Sequence, residues 1–566
     1  MHVVLAFAAF ENLGIEYLAA VLERAGHRVS LAFDPVLFND GFVSFPTLAR
    51  LLDSSDRIAD RIAALEPDLV GLGVLSPAFP WALRLARKVK RRRDVPIVLG
   101  GVHPTAVPER VLRNPEIDFV IRGEGEDAIV ELVDALASGA PTAAIQNLAF
   151  RKPGTGEVQV NPVRPLIADL DTLPFPNKNL YLAEARGFQF GYPIMAQRGC
   201  SYSCSFCHHW HGKRLYRLPN SQYVRQRSVA NVIDELSQAK EHLSPRSVRF
   251  EDETFTESWP WVEEFCASYR DTIGLPFFCL ARPDTIHEHV VKALADAGCR
   301  SLEVGVQSFD PQVRSRVAYR GESDEEVRRS LRLARQYDVP LGLDVILNLP
   351  LETEAGLVRS LLDLVDDPPA EVNAFYCAYY PGTAVLDIAR EQGLLDHAAV
   401  ERILDGESVQ RVALGGYRTE AAIRKLGMLF VLTPYLPAGI IRWFAAKRRY
   451  RFLPHPGYTA VWAVVGYAGR IREWWRARGK RGHERMERFE AIRTPERYAT
   501  YLVRRVWPGF RRGTARLPFR QPESARLRTG VAPRPHVEQR GEDAPATEPA
   551  MLGAAPFAHV AASEAP

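Results

Sequence analysis

The chain has 566 residues, of which 46% are hydrophobic, 25% charged and 10% aromatic. This composition excludes a collagen, a coiled coil and a chain that is disordered throughout. Its seven cysteines, an odd and small number for this length, exclude a disulfide-built secreted scaffold and favour reduced thiols in the cytoplasm. A net charge of +4, from 72 Lys and Arg against 68 Asp and Glu, is too balanced to indicate a polyanionic partner. The length leaves room for about three to five domains.

Neither a signal peptide nor a membrane span is predicted. The apolar N-terminus has no Lys or Arg before it and soon meets Glu11, so it is predicted to be a first β-strand. The two longest apolar stretches, residues 426–441 and 452–469, are interrupted or opened by prolines. Both fall short of the roughly 20 uninterrupted apolar residues that a span needs.

Strand-like and helix-like patterns alternate through the first 150 residues. The predicted strands are residues 3–7, 29–33, 69–75, 97–99 and 119–121, and the predicted helices include residues 13–22, 81–93 and 128–136. This alternation predicts an open parallel sheet with helices on both faces and no hairpins. Ligands bind such sheets beyond the carboxyl ends of the strands. The candidate binding residues there are Asn12, Ser76, Gly100, Gly101, Thr105, Gly123 and Glu124, although the glycines alone are also explained as ordinary βα turns.

Four motifs in this stretch carry a family resemblance. They are Glu11-Asn12-Leu13-Gly14-Ile15, Pro67-Asp68-Leu69-Val70-Gly71, Gly100-Gly101-Val102-His103-Pro104-Thr105 and Arg122-Gly123-Glu124-Gly125-Glu126. With them, residues 1–150 resemble the cobalamin-binding domain found upstream of many radical enzymes. The resemblance implies that the seven candidates above contact cobalamin. The Asp-x-His-x-x-Gly signature of the methionine synthase branch is absent, so no His is expected below the cobalt. His103 is the alternative cobalt ligand, but it lies in a loop motif that is common to relatives.

Three cysteines are grouped in the middle of the chain. Cys200, Cys204 and Cys207 form the pattern Cys-x3-Cys-x2-Cys, and so short a loop must bring the three thiolates close together. Iron-sulfur clusters usually take four cysteine ligands, so three would leave one iron open. The alternative is a zinc site completed by a histidine of the loop. The histidines in question are His208, His209 and His211, and the remaining cysteines, Cys266, Cys279, Cys299 and Cys377, are predicted to be buried packing residues.

The three-cysteine motif, with Phe206 before its last cysteine, resembles that of the radical S-adenosylmethionine (SAM) superfamily. The resemblance implies a 4Fe-4S cluster whose open iron chelates SAM. It also implies reductive cleavage of SAM to a 5′-deoxyadenosyl radical, with electrons from a partner such as flavodoxin or ferredoxin. In such an enzyme the cofactor carries the chemistry and the protein positions it.

Six βα units are predicted around and after the cysteine loop. The strand-like runs are residues 193–196, 248–250, 276–280, 301–306, 341–347 and 372–379, and helices are predicted to begin near Val229, Trp259, Glu288, Asp324 and Glu354. The family's fold is a partial TIM-type barrel, whose active groups lie at the carboxyl ends of the strands. The polar residues there are Glu251, Asp252, Glu253, Arg282, Gln307, Ser308, Asn348 and Glu352.

By resemblance, all of these except Arg282 are candidate SAM contacts. The Glu251-Asp252-Glu253 segment corresponds to the place that contacts the methionine amino group, and Gly305-Val306-Gln307-Ser308 corresponds to the segment that lines the ribose and carboxylate. The fifth-strand segment departs from the family. Relatives often have Gly-Leu-Pro-Gly-Glu near the adenine, whereas this chain has Asn348-Leu349-Pro350-Leu351-Glu352.

The C-terminal third is basic and aromatic. Between residues 442 and 512 there are 19 Lys and Arg against 5 Asp and Glu, so the rest of the chain is acidic. Such a segment suits a surface that contacts anionic lipids, a nucleic-acid face, or helices packed on the barrel. Residues 513–566 have no periodicity and are predicted to form a disordered tail.

The predicted fold class is therefore α/β: a Rossmann-like cobalamin-binding domain (1–150), a linker (151–192), a partial (β/α)6 radical SAM barrel (193–400), a mainly helical C-terminal domain (401–512) and the tail. The predicted function is a cobalamin-dependent radical SAM enzyme that methylates an unactivated carbon of a small or lipid-like substrate. The alternatives are radical cyclisation or rearrangement without methyl transfer, and a non-catalytic cobalamin-binding sensor. A cytoplasmic location with peripheral contact at the inner membrane surface is expected, and no nucleic-acid partner is expected.

Overall fold

A computed structural model of the chain describes residues 1–36, 46–184, 191–406 and 420–453. The predicted disordered tail and the greater part of the predicted basic domain lie outside these ranges. The domain boundaries remain predictions.

The first part of the chain forms a seven-stranded sheet. Its strands are β1 (His2–Ala8), β2 (Arg28–Asp34), β3 (Leu69–Gly73), β4 (Ile97–Gly100), β5 (Phe119–Ile121), β6 (Leu148–Arg151) and β7 (Val158–Val160), in the order β2-β1-β3-β4-β5-β6-β7. The first five strands are parallel, as predicted. The prediction of a sheet without hairpins was wrong, because β6 pairs antiparallel with both β5 and β7. A glycine-containing turn, with Gly154 and Gly156 at positive φ, lets the chain reverse between β6 and β7.

Helices cover both faces of this sheet. They are α1 (Leu13–Arg24), α2 (Pro46–Leu51), α3 (Ser55–Ala64), α4 (Phe79–Arg92), α5 (Val102–Ala106), α6 (Pro108–Val111), α7 (Glu126–Ser138) and α8 (Asn179–Glu184). Apolar residues of α1 and α7 form one core with one face of the sheet, and those of α3 and α4 form another with the opposite face. The carboxyl edge of the parallel strands is left for the connecting loops.

The second sheet is the predicted six-stranded barrel segment. Its strands, all parallel, are β8 (Tyr192–Ile194), β11 (Val248–Phe250), β12 (Phe277–Ala281), β13 (Cys299–Gln307), β14 (Leu341–Leu347) and β15 (Glu371–Tyr376); β9 (Gln197–Arg198) and β10 (Arg225–Gln226) form a separate antiparallel pair. Along β13, β14 and β15 fully buried residues alternate with partly exposed ones. The buried set packs under the helices, so the partly exposed set faces the barrel interior.

In the part of the chain that the structure describes, nine helices accompany the barrel strands. They are α9 (His208–Tyr216), α10 (Asn220–Tyr223), α11 (Val229–Leu243), α12 (Trp259–Thr272), α13 (Glu288–Asp296), α14 (Asp324–Gln336), α15 (Glu354–Asp366), α16 (Ala384–Glu391) and α17 (His397–Leu404). Five of them, α11 to α15, begin at the predicted residues. Side-chain N-caps account for several of the starts: Ser228, Ser323 and Thr353 each accept a bond from a first-turn amide.

Two further helices, α18 (Ala421–Leu432) and α19 (Ala438–Ala445), complete the barrel core. Leu426, Phe430 and Ile441 are buried in the same apolar core as the barrel strands. Gly427 allows the close approach of α18 to β15, since a Cβ there would lie 2.5 Å from Tyr376 Oη. Within the described ranges, no helix combines the length and apolarity needed to cross a bilayer.

Candidate active site

The three-cysteine loop leaves the barrel after β8 and ends at α9. Cys200 and Cys204 are buried and Cys207, the N-cap residue of α9, is half-buried; all three are free thiols. Gly199 begins the loop with φ 88°, and a Cβ there would lie 2.2 Å from the carbonyl oxygen of Tyr223. The loop therefore needs glycine at this position to pass the neighbouring chain.

The Glu251-Asp252-Glu253 segment lies beside this loop, and each of its three carboxylates has a different partner. Asp252 is buried and accepts bonds from the backbone amides of Ala196 (3.0 Å) and Gln197 (2.6 Å). It thus holds the strand that leads into the cysteine loop. Glu253 pairs with His209 at 3.2 Å. The side chain of Glu251 lies 3.0 Å from Arg249.

Two arginines converge on Cys204. Arg282 Nη1 and Arg320 Nη1 lie 3.5 and 3.7 Å from its Sγ, and Glu322 pairs with both guanidinium groups, at 3.0 and 2.5 Å. Burial raises the pKa of the neighbouring Cys200 thiol to about 11. Two buried cations at the loop fit thiolate ligands and an anionic metal centre. Arg320 and Glu322 were not found from the sequence, because no local motif marks them.

The three histidines considered as zinc ligands do not lie together: His208 and His209 are close to Cys207, and His211 is not grouped with them. Cys207, His208 and His209 have ligand atoms within 4.8 Å of one another. His211 lies elsewhere: a Cβ on Gly382 would be 2.7 Å from its Nδ1. Cys266, Cys279, Cys299 and Cys377 are buried, as predicted.

The predicted fourth-strand and fifth-strand residues meet at the barrel edge. Glu352 accepts a bond from the backbone amide of Asn348 at 2.6 Å. Burial raises the Glu352 pKa to about 8, although bonds from Asn348, Leu349 and Ser308 oppose the rise. Ser308 is buried. Gln307 has a left-handed φ of 69°, and a Cβ on its neighbour Gly305 would lie 2.6 Å from its side-chain amide.

The Asn348-Leu349-Pro350-Leu351-Glu352 turn keeps the backbone that glycines would adopt. Asn348 and Leu351 stand where relatives often have glycine, and their φ angles are 64° and 67°. Both residues therefore have a left-handed backbone, a conformation that glycine adopts without strain. Strained backbone of this kind is concentrated at functional sites in proteins.

At the carboxyl edge of the first sheet, the predicted glycines lie against the protein's own chain. Gly101 has φ 108°, and a Cβ there would lie 2.7 Å from the Val74 carbonyl oxygen. A Cβ on Gly100 would lie in ordinary contact with the Ile121 carbonyl oxygen, at 3.8 Å. Ser76 Oγ lies 3.2 Å from Nδ1 of His103. His103 is fully buried and its Nε2 has no hydrogen-bond partner within the described structure. Burial lowers the pKa of His103 to about 4, so the ring is neutral.

The side chains of the other predicted cobalamin residues bond to the nearby backbone or to arginines of the barrel part. Asn12 caps α1 by accepting a bond from the amide of Ile15 at 3.0 Å. Thr105 Oγ1 accepts a bond from the amide of Gly123, also at 3.0 Å. Glu124 is an inter-domain contact, because its carboxylate binds Arg198 and Arg225 of the barrel part at 3.2 and 2.7 Å.

Helix α9 joins the cysteine loop to this edge. It begins after Cys207 and ends at Tyr216, whose hydroxyl accepts a bond from the Glu124 amide at 2.8 Å. A Cβ on Gly123 would lie only 1.9 Å from that hydroxyl. A second link is made by Arg198, two residues before Cys200, which also pairs with Glu126 at 2.6 Å. The loop that carries the cysteines is thus bonded directly to the loops of the first sheet.

Comparison with known proteins agrees with this architecture. The model of the B12 binding domain matches residues 4–133, and that of the Radical SAM superfamily matches residues 194–364. An uncharacterised methyltransferase of Pyrococcus horikoshii is 30% identical over 390 residues, which cover 68% of this chain and 79% of the relative. The chain belongs to the radical SAM enzymes that carry a B12-binding domain. Its cofactors are accordingly cobalamin, a 4Fe-4S cluster and SAM.

Two further comparisons describe the range of the family. The anaerobic magnesium-protoporphyrin IX monomethyl ester cyclase of Rubrivivax gelatinosus is 26% identical over 359 residues, which cover 61% of this chain and 60% of the cyclase. The radical SAM methyltransferase TsrM of Kitasatospora setae, solved with cobalamin and a 4Fe-4S cluster, shares the fold. Its TM-score is 0.55 at 20% identity, covering 69% of this chain and 78% of TsrM.

The residues present fit these cofactors. The free cysteines beside two buried arginines suit the cluster, and the buried, unpartnered Nε2 of His103 suits a polar ligand at the carboxyl edge of the first sheet. Asp252 and Glu124 are both predicted cofactor contacts. In the structure, the Asp252 carboxylate accepts bonds from two backbone amides, and the Glu124 carboxylate pairs with two arginines. Sequence position does not reveal this difference, because it depends on where each side chain turns.

Proposed function

We propose that this enzyme transfers a methyl group to an unactivated carbon of a small or lipid-like substrate. When bound, the cluster and SAM supply a 5′-deoxyadenosyl radical, and cobalamin supplies the methyl group. Cys200, Cys204 and Cys207 are the proposed cluster ligands. The proposed SAM contacts are Glu251, Glu253, Gln307, Ser308, Asn348 and Glu352, and the proposed cobalamin contacts are Ser76, Gly100, Gly101, Thr105 and Gly123.

The observation that carries the proposal is the direct linkage of the two cofactor edges. α9 has nine residues, so at 1.5 Å per residue it is about 13 Å long. It starts directly after Cys207, and its last residue, Tyr216, contacts Gly123 and Glu124. Arg198 adds a nearly buried ion-pair contact between the same two loops. Such an arrangement supports chemistry that uses both cofactors on one substrate, and it disfavours a sensor in which cobalamin acts alone.

The test is the product balance of the reconstituted, anaerobic enzyme with cobalamin, SAM, a reductant and a cell extract that supplies the methyl acceptor. Methyl transfer predicts S-adenosylhomocysteine together with 5′-deoxyadenosine. A reaction that yields 5′-deoxyadenosine without S-adenosylhomocysteine would replace methylation with cyclisation or rearrangement. A Cys204→Ala variant is expected to form neither product, and a Cys279→Ala variant, which alters a buried cysteine of the packing core, is expected to form both. If wild-type protein cleaves no SAM, the sensor hypothesis is favoured.

We further propose that α19 and the turn after it contact an anionic membrane surface. Ile440, Trp443 and Phe452 are exposed, Phe452 to 87%. The cations of this segment are Arg442, Lys447, Arg448, Arg449 and Arg451. Exposed aromatic and aliphatic side chains among cations are typical of peripheral membrane segments, and a lipid-like substrate would be available at such a surface.

Sedimentation with phosphatidylglycerol vesicles tests this contact. The double variant Trp443→Ser and Phe452→Ser is expected to bind less than wild type, and added salt is expected to weaken wild-type binding because lipid attraction is screened. Leu394→Ser, which changes an exposed leucine outside this segment, is the matched control. Equal sedimentation of all three proteins would contradict the proposal. An electron donor such as flavodoxin or ferredoxin is proposed as the physiological reductant.

A further inference from the structure

Lys213 is a buried lysine on the second turn of α9, with only 6% of its surface exposed. Its ammonium nitrogen donates bonds to the Tyr202 carbonyl oxygen at 2.5 Å and to Ser203 Oγ at 3.2 Å. Both acceptors lie in the cysteine loop, between Cys200 and Cys204. Long side chains of a helix lean towards its N-terminus, so Lys213 reaches back from α9 over the loop.

A tyrosine and a glycine enclose this ammonium group. The Tyr223 ring lies 5.8 Å from Lys213 Nζ, and the Tyr223 hydroxyl lies 3.2 Å from Nδ1 of His209. Gly212 makes room for the ring, since a Cβ there would lie 2.2 Å from the Tyr223 hydroxyl oxygen. The enclosure removes water from the ammonium group, which costs free energy unless an anion is near.

The anions that face Lys213 are chiefly the sulfurs of the loop. Among the residues that the structure describes, no carboxylate pairs with Lys213 within 4.0 Å. Burial lowers the pKa of its ammonium group, and the three thiols of the cysteine loop oppose this fall. The Glu257 carboxylate opposes it less, and it accepts a bond from the Ser201 amide at 3.2 Å.

Lys213 differs in this respect from the two arginines at Cys204. Arg282 and Arg320 share the Glu322 carboxylate, so these two cations bring an anion with them. Both hydrogen-bond acceptors of Lys213 are neutral oxygens, so its whole charge acts on the loop. A 4Fe-4S cluster gains one negative charge when it is reduced, and a nearby cation therefore stabilises the reduced form.

We propose that Lys213 raises the reduction potential of the cluster by placing a buried cation against its cysteine ligands. In the step concerned, an external one-electron donor loses one electron and the cluster gains it, and no bond forms or breaks. Lys213 acts through the cluster and is a positioning residue for its charge. The inference rests on the cluster that the family carries, and not on the proposed transfer of a methyl group.

Two substitutions separate the charge of Lys213 from its hydrogen bonds. Lys213→Gln keeps a donor for the loop oxygens but removes the charge, whereas Lys213→Arg keeps the charge. Anaerobic potentiometric titration of the protein loaded with cluster and cobalamin, followed by the EPR signal of the reduced cluster, compares both variants with wild type.

The Gln variant is expected to have the lower potential. At the wild-type midpoint, its ratio of reduced to oxidised cluster should be about tenfold lower, the size of effect that one nearby charge produces at an effective dielectric constant of about 20. A tenfold change is a shift of about 59 mV for a one-electron couple. The Arg variant is expected to keep the wild-type midpoint.

Lys240→Gln is the matched control. Lys240 Nζ also donates to two backbone carbonyl oxygens, those of Thr272 and Ile273 at 3.2 and 2.7 Å. These acceptors lie at the end of α12 and not in the cysteine loop. The control variant is therefore expected to keep the wild-type midpoint.

Two results would overturn the inference. A Gln variant with the wild-type midpoint would show that the charge of Lys213 does not act on the cluster. An Arg variant shifted as far as the Gln variant would show that the shape of the lysine matters and its charge does not. If the Gln variant assembles no cluster, the iron content of the Arg variant decides: wild-type content supports charge compensation, and loss of iron contradicts it. The titration contains no substrate, so its failure leaves the proposed methyl transfer untouched.

Discussion

Replacing Arg198 by methionine is predicted to weaken the contact between the two cofactor domains. Arg198 is 13% exposed and lies 2.6 Å from Glu126, which is 7% exposed, and 3.2 Å from Glu124. Glu124 keeps Arg225 as a partner. Glu126 has no other ion pair within the described structure, so the variant leaves its carboxylate buried without a cation. Removing one partner of a buried pair costs about 3–5 kcal/mol of stability.

The predicted loss depends on pH. Burial raises the pKa of Glu126, but Arg198 outweighs this and holds it below its ordinary value. In wild type, the carboxylate therefore adds stability above the unfolded-state pKa of about 4.3, and this contribution is lost as the pH falls. Without Arg198, burial raises the pKa, and protonation at low pH then removes the unpaired charge. The difference between the two proteins is expected to be largest near pH 7 and to shrink towards pH 4.

Urea unfolding of the cluster-free protein, followed by tryptophan fluorescence at several pH values, measures this difference. Arg164→Met is the matched control. Arg164 also contacts two carboxylates, those of Asp127 and Glu131, but both are half exposed. Its loss is expected to cost about 1 kcal/mol or less. The double variant Arg198→Met and Glu126→Gln should recover part of the lost stability. An Arg198→Met protein as stable as the control, or one whose deficit grows at low pH, would refute the reasoning.

Three further predictions follow from the same contacts. Gly123→Ala is expected to lower the free energy of unfolding by about 2 kcal/mol or more, because the new Cβ would clash with Tyr216 and would strain a backbone with φ 70°. Gly139→Ala is the control: its φ is 69° but the space around it is open, so thermal unfolding should show a loss of only about 1 kcal/mol. Glu352→Gln should flatten the pH dependence of the free energy of unfolding. In wild type, the folded state favours the protonated Glu352 because its pKa is raised to about 8; this stabilisation is complete below about pH 4.5 and is lost as the pH rises through 8. Cys279→Ala should retain the iron content of the reconstituted protein, and Cys204→Ala should lower it.

The sequence determined most of the local structure. The predicted starts of α11, α12, α13, α14 and α15 coincide with the observed ones, because capping residues and apolar periodicity are local signals. The three-cysteine spacing and the polar strand ends likewise located the barrel edge, since parallel strands bring their carboxyl ends together. The one topological error, the antiparallel β6 and β7, arose because strands of three or four residues carry little pattern.

Only the tertiary structure decided what the individual edge residues contact. Asp252 follows a strand in the same way as Glu253, yet it is turned onto the backbone of the cysteine strand. Arg282 and Arg320 meet at Cys204 from 78 and 116 residues away. Such contacts depend on the packing of separate elements, which no local period encodes. The motifs therefore predicted the cofactors, and the packing shows that α9 and Arg198 join the cysteine loop to the loops of the first sheet.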